Sequence, residues 1–186
     1  FDTKVILKEV DTESVFKNEV LPQIEGYVED SIQNLTHVFE QSDDPVFYRM
    51  RYLNEMLAMC DTKVVANYDC DVLLPTSSYD AQFGHVQFFD RDSYMKGGME
   101  NENFRGSSPE DKERFYRFKK LGYDVCRLDD YVYHLEHSRG RNSWPASVQG
   151  NPYMSENFAL WEKLEKMSDE EIKTYYSTQP YLSKYN

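Results

Sequence analysis

The sequence predicts an α/β fold, a mixed sheet flanked by helices, and three observations carry that reading. Apolar runs of strand length alternate with a stretch of helical period, turn residues punctuate each change, and 186 residues with 40% hydrophobic content suffice for one core. Val5-Ile6-Leu7-Lys8-Glu9-Val10 reads as a strand ended by Asp11-Thr12-Glu13-Ser14, and a helix follows. Thr36 to Glu40 is a second strand, and Gln41 to Pro45 then supplies a turn and a helix start. Phe47, Met50, Leu53, Leu57 and Cys60 recur at helical spacing, predicting one apolar face as far as Cys60. Lys63 to Tyr68 is a third strand, and strand, helix, strand, helix, strand is the pattern of a parallel α/β unit. Gly84 to Phe89 is a further strand. Ser108-Pro109-Glu110-Asp111 opens a helix that Gly122 closes, with strands around Val125 and from Tyr131 to Leu135. Helices are expected from Ser155 to Met167 and from Ser168, where Ser168 and Glu171 stand at capping-box spacing. The whole reads as a single domain over residues 1–186, with a C-terminal helical extension over 150–186.

Charge excludes some functions. A formal net charge of -12 argues against a broad nucleic-acid footprint, because phosphate binding is driven by clustered Lys and Arg. An anionic diphosphate could still be held if a divalent cation bridged it to carboxylates. The three cysteines, Cys60, Cys70 and Cys126, form neither a paired framework nor a Cys-x-x-Cys motif, which fits a reducing compartment. No apolar run approaches the roughly 20 residues that span a bilayer.

The residues with chemical potential fall in a few places. Asp69-Cys70-Asp71 stands at the end of an apolar strand, and ligands of α/β sheets gather at such ends. An isolated Asp-x-Asp is more often a solvated turn, but two carboxylates one residue apart also offer hard oxygen ligands to a divalent cation. His134 and His137 are spaced so that both reach one ion only if the strand turns between them, which makes His137 the better single candidate. Carboxylate, imidazole and phosphate oxygen together suit manganese or magnesium. Glu110 and Asp111 fit the first turn of a helix as dipole partners, and Asp111 lies at capping-box spacing from Ser108; their functional reading is a general base acting on an acceptor hydroxyl.

Read in order, Asp69-Cys70-Asp71, Gly97-Gly98-Met99-Glu100-Asn101-Glu102-Asn103-Phe104, Glu110-Asp111 and His134-Leu135-Glu136-His137-Ser138-Arg139 resemble the galactosyltransferase-type families of the GT-A glycosyltransferase fold. The likeness covers roughly residues 60 to 145, and its later block resembles a region shared by animal galactosyltransferases and bacterial polysaccharide-synthesising enzymes. It implies that Asp71 and His137, with His134 where the animal enzymes place a methionine, ligate Mn2+ or Mg2+. It implies that Asp69, Asp71, Gly98 and Glu100 line the donor site, that Asp111 deprotonates the acceptor and that Glu110 grips a sugar. The expected activity is inverting transfer of a sugar, a UDP-hexose residue, from a nucleotide-sugar donor to a saccharide acceptor, in a bacterial cytoplasmic protein peripheral to the inner face of the membrane. Two features depart from the family. Gly106-Ser107-Ser108-Pro109 stands where a Trp-Gly-rich stretch is usual, and only Leu74 to Gly84 separates Asp-x-Asp from the Gln87 strand. The chain opens at Phe1 without Met; either it is a reduced relative of the family or, as is favoured, a first nucleotide-binding strand and an internal segment lie outside the numbered residues. Two rival functions are a non-catalytic nucleotide-sugar or carbohydrate-binding domain of the same fold and a metal-dependent phosphate-ester hydrolase.

Overall fold

The computed structural model describes residues 3–24, 34–70, 72–73, 86–106, 108–126, 133–135 and 151–185. The chain divides into two compact units, Phe1–Phe47 and Tyr48–Asn186. In the first, strands β1 (Val5–Asp11) and β2 (Leu35–Gln41) pair in parallel, in register from Val5 opposite Leu35 to Asp11 opposite Gln41. After β1 come a π-helical turn at Phe16–Val20 and the short α1 (Leu21–Ile24). Glu9 fixes the exit from β1. Its carboxylate accepts from Ser14 Oγ at 2.6 Å, His37 Nε2 at 2.9 Å and the Phe16 amide at 2.9 Å.

The second unit begins with α2 (Arg49–Met59), followed by β3 (Val64–Tyr68), β4 (Val72–Leu73) and β5 (Val86–Asp90). Then come α3 (Arg91–Lys96), α4 (Glu110–Lys120), β6 (Tyr133–His134), α5 (Met154–Lys166) and α6 (Asp169–Ser177), with a 3-10 turn at Pro180–Lys184. The helical period read from Met50, Leu53 and Leu57 is realised: Met50 and Leu57 are buried, although the helix starts four residues after Pro45 and leaves Phe47 exposed. β3 pairs antiparallel with β5, from Val64 opposite Asp90 to Tyr68 opposite Val86, and β4 pairs antiparallel with β6. The parallel pattern therefore holds for β1 and β2 alone, and in place of one mixed sheet the described strands form three two-stranded sheets, one parallel and two antiparallel.

Two further expectations change. Residues 123–126 form no strand; Tyr123 and Val125 instead pack, outside any regular element, against a core of Leu57, Val65, Tyr94, Met99 and Phe118. Ser108 does not cap α4, whose N-cap is Pro109 without a side-chain hydrogen bond; the Ser108 carbonyl is held by Asn157 instead. The capping box of Ser168 and Glu171 forms as read. A second core joins Met50 and Phe104 to Trp161, Leu164, Ile172 and Tyr176 from the C-terminal helices. Since burial of large apolar side chains is the chief stabilising term, α5 and α6 are integral to this unit's core. Among the described residues no helix is long and apolar enough to cross a membrane.

Candidate active site

Three carboxylates singled out in the sequence meet at one guanidinium, that of Arg49. β3 ends at Tyr68 and delivers Asp69, whose Oδ1 accepts from Arg49 Nη2 at 2.9 Å. The first turn of α4 delivers Glu110 and Asp111, where acidic residues also complement the positive end of the helix dipole. Arg49 Nη1 donates to Glu110 Oε1 at 3.0 Å and to Asp111 Oδ1 at 3.4 Å. The N-terminus of α2, the end of β3 and the N-terminus of α4 are thereby held around one point.

The two adjacent acids differ. The Glu110 side chain is 5% exposed and that of Asp111 27%. Burial and the neighbouring Asp111 carboxylate push the Glu110 carboxyl up, against the pull of Arg49. Burial acts on Asp111 in the same direction, but the Arg114 and Arg49 guanidiniums outweigh it and hold its carboxyl below the usual carboxylate range. Environments that drive neighbouring carboxyls apart assign them different chemical tasks. Both arginines bind Asp111 through Oδ1, and Glu110 Oε2 is buried without a hydrogen-bond partner among the described residues. A buried carboxylate oxygen left unpaired in this way is costly unless a ligand meets it.

Behind Asp111 lies Arg114, 2% exposed at its side chain. Its Nη1 donates to Asp111 Oδ1 at 2.7 Å and to Gln87 Oε1 on β5, while Nε and Nη2 bind the two oxygens of Glu100 at 2.7 Å each. Glu100 Oε1 also accepts from the Tyr94 hydroxyl and from Asn67 Nδ2. Burial and the Glu100 carboxylate push the Tyr94 phenol well above its ordinary value, so it stays a donor. Asn54 fixes the Glu100 main chain, accepting from its amide at 2.8 Å and donating to its carbonyl at 3.0 Å.

Glu100 thus reaches the site through Arg114. Gly98 is buried under α6 with φ of +90°, where a Cβ would lie 2.5 Å from Tyr176 Cδ1. Gly98→Ala is therefore expected to destabilise the fold by about 2 to 4 kcal/mol, combining overpacking with left-handed backbone strain, as read by urea denaturation. His134 lies on β6, with its Cα opposite that of Val72 on β4. Asp71 and His137 lie outside the described residues, and among the described residues no group of three His, Cys, Asp or Glu side chains is placed to hold a metal. The sequence reading missed Arg49, Arg114, Asn54, Asn67 and Tyr94. Only the spacing of Asp111 to Arg114 hinted at a pair, and such spacing is ordinary on a solvated helix.

No protein-family model matches the chain, and no curated protein matches it by sequence. Solved structures do. The catalytic domain of Drosophila β1,4-galactosyltransferase 7 in complex with xylobiose matches with a TM-score of 0.51 at 15% identity, over 90% of this chain and 84% of that one. The chain is thus similar in fold to that catalytic domain. A mutant of the same Drosophila enzyme, in complex with manganese, UDP-Gal and xylobiose, matches with a TM-score of 0.50 at 14% identity, over 89% of this chain and 83% of that one. At these identities the likeness is one of fold, consistent with the GT-A type, and it leaves function to be argued from the site.

Proposed function

We propose that this chain is a metal-dependent inverting glycosyltransferase that moves a sugar, a hexose from a UDP donor, to a saccharide acceptor. One observation carries the reading: Arg49 draws Asp69, from the Asp-x-Asp run, onto the same point as Glu110 and Asp111. The likeness of fold supports it, because one of the two Drosophila structures holds manganese, UDP-Gal and xylobiose and the other holds xylobiose.

Asp111 is the acceptor base. Its carboxyl stays ionised at neutral pH, and with both arginines on Oδ1 the Oδ2 atom is the one to receive the hydroxyl proton. Glu110 offers its buried, unpaired Oε2 to a sugar hydroxyl, and Asp69 contacts the nucleotide end. Asp71, His137 and His134 would hold Mn2+ or Mg2+; their donor set of carboxylate and imidazole suits such a cation, and β4, which begins one residue after Asp71, pairs with the strand that carries His134. When bound, the cation would neutralise charge on the diphosphate leaving group. Gly98 and Glu100 act from behind the site, Gly98 by close packing under α6 and Glu100 by holding Arg114 against Asp111.

One feature favours a second reading, a non-catalytic sugar-nucleotide binding domain: Asp111 Oδ1 already carries two guanidiniums, which weakens it as a base. A thermal-shift panel of UDP-, GDP- and CMP-sugars with and without manganese tests the proposal, since a ligand bound only by the folded state raises its stability. A UDP-hexose that raises Tm only with manganese is the expected result; no shift from any donor would sink the reading. Metal-dependent binding without turnover of any donor would favour the binding domain.

A further inference from the structure

The buried ion pair of Glu100 and Arg114 belongs to neither the donor nor the acceptor contacts, yet it ends on Asp111. The chain of bonds is continuous. Asn54 of α2 holds the Glu100 main chain, Glu100 holds two nitrogens of Arg114, and the third nitrogen of Arg114 reaches Asp111 Oδ1 and Gln87. A planar guanidinium engaged on both edges has no freedom to turn, so the Asp111 carboxylate it grips is fixed in orientation as well as in charge. Burying this pair carries a desolvation cost that a well-packed apolar pair avoids, so its presence beside an acid of the candidate site calls for a use.

We infer that Arg114, braced by Glu100, is a positioning residue for the acceptor base: it holds Asp111 Oδ1 so that Oδ2 is left to meet the acceptor hydroxyl. The inference rests on the reading of Asp111 as that base. Among the described residues, the charged and titratable groups around Asp111 are Arg49 from α2, Glu110 and Arg114 from α4, Asp69 across Arg49, and Glu100 with Tyr94 behind Arg114; Gln87 from β5 is neutral.

The sign follows from this set. Arg114 lowers the Asp111 carboxyl, so its loss moves that carboxyl up. In Arg114→Met, carboxyl-carbon NMR of Asp-labelled protein, with the Asp111 signal assigned through Asp111→Asn, is expected to show the Asp111 titration displaced upward by about one pH unit or more. The acid limb of kcat/KM moves with it, and the Kd for donor with manganese stays put. Arg114→Lys keeps the charge but not the fork; it is expected to leave the acid limb in place and to lower kcat by about tenfold. A folded Arg114→Met protein with an unmoved Asp111 titration overturns the inference. If that variant does not fold, Arg114→Lys with wild-type kcat overturns it equally. Absence of transfer by the wild-type protein would instead sink the proposed function, while the NMR titration would still decide this inference.

Discussion

Asp111→Asn is expected to lower sugar transfer by about 10²- to 10⁴-fold, the range contributed by a positioned general base, while leaving metal-dependent donor binding within a few-fold of wild type. The substitution keeps the shape of the side chain and an oxygen that can face Arg114 and Arg49, so both arginines remain placed. What disappears is the capacity of the second oxygen to take a proton. Initial rates with a UDP-hexose and a saccharide acceptor, together with calorimetric donor affinity, separate the two quantities. A fall in affinity with kcat preserved would assign Asp111 to binding. Wild-type activity in the variant would move the base elsewhere, and Glu110 would be next to test.

The largest structural effect is expected at Arg117. Its side chain is 1% exposed, its Nε lies 3.1 Å from Glu113 Oε1, its Nη1 donates to the Gly97 carbonyl at 2.5 Å, and its guanidinium carbon lies 4.2 Å from the Tyr176 ring centroid. Glu113 is 2% exposed and accepts the Tyr176 hydroxyl at 2.6 Å. Arg117→Met removes the cation and leaves that carboxylate buried with one donor, a change that costs about 3 to 5 kcal/mol in comparable buried pairs. The loss depends on pH. Burial already pushes the Glu113 carboxyl up from 4.5 although Arg117 pulls it down, so without Arg117 it rises further. A carboxyl raised in the folded state contributes stability below its unfolded value that is lost as pH rises through the folded value. The deficit of Arg117→Met relative to wild type is therefore smallest at acid pH, where Glu113 is protonated in both proteins, and grows only once pH passes the wild-type folded value, itself above 4.5. Urea midpoints across that range measure it, and a pH-independent deficit would contradict the assignment.

Much of the scaffold was legible because it is written in local pattern. The apolar run at Val5, the helical period through Met50, Leu53 and Leu57 and the Ser168 capping box each depend on neighbours within a few residues, and each formed. The Ser108 cap did not form: α4 takes Pro109 as its N-cap, and it is the Ser108 carbonyl, bound by the tertiary partner Asn157, that is engaged. The acids of the site were legible as types, Asp69 at a strand end and Glu110 and Asp111 at a helix start, since chemistry restricts which residues stand there. Their meeting point was not. Arg49 precedes Glu110 by 61 residues, and nothing in the run Tyr48-Arg49-Met50 separates it from a surface arginine. The buried charges of α4 were hidden for a related reason: Glu113, Arg114 and Arg117 have the spacing of solvated ion pairs, and only burial distinguishes the two cases.

The segment that leads from Phe104 into α4 has its course set by side-chain amides rather than by a ladder of backbone pairs. Asn157 accepts from the Arg105 amide at 3.1 Å and donates to the carbonyls of Arg105 and Ser108, Asn151 adds a bond to the Arg105 carbonyl, and a Cβ at Gly106 would lie 2.5 Å from Asn151 Nδ2. Each of these bonds names a particular position, so inserting or deleting one residue would put every later carbonyl out of reach of its amide. A change of length in this segment is thus expected to cost more than exchange of an outward side chain such as Arg105, 42% exposed.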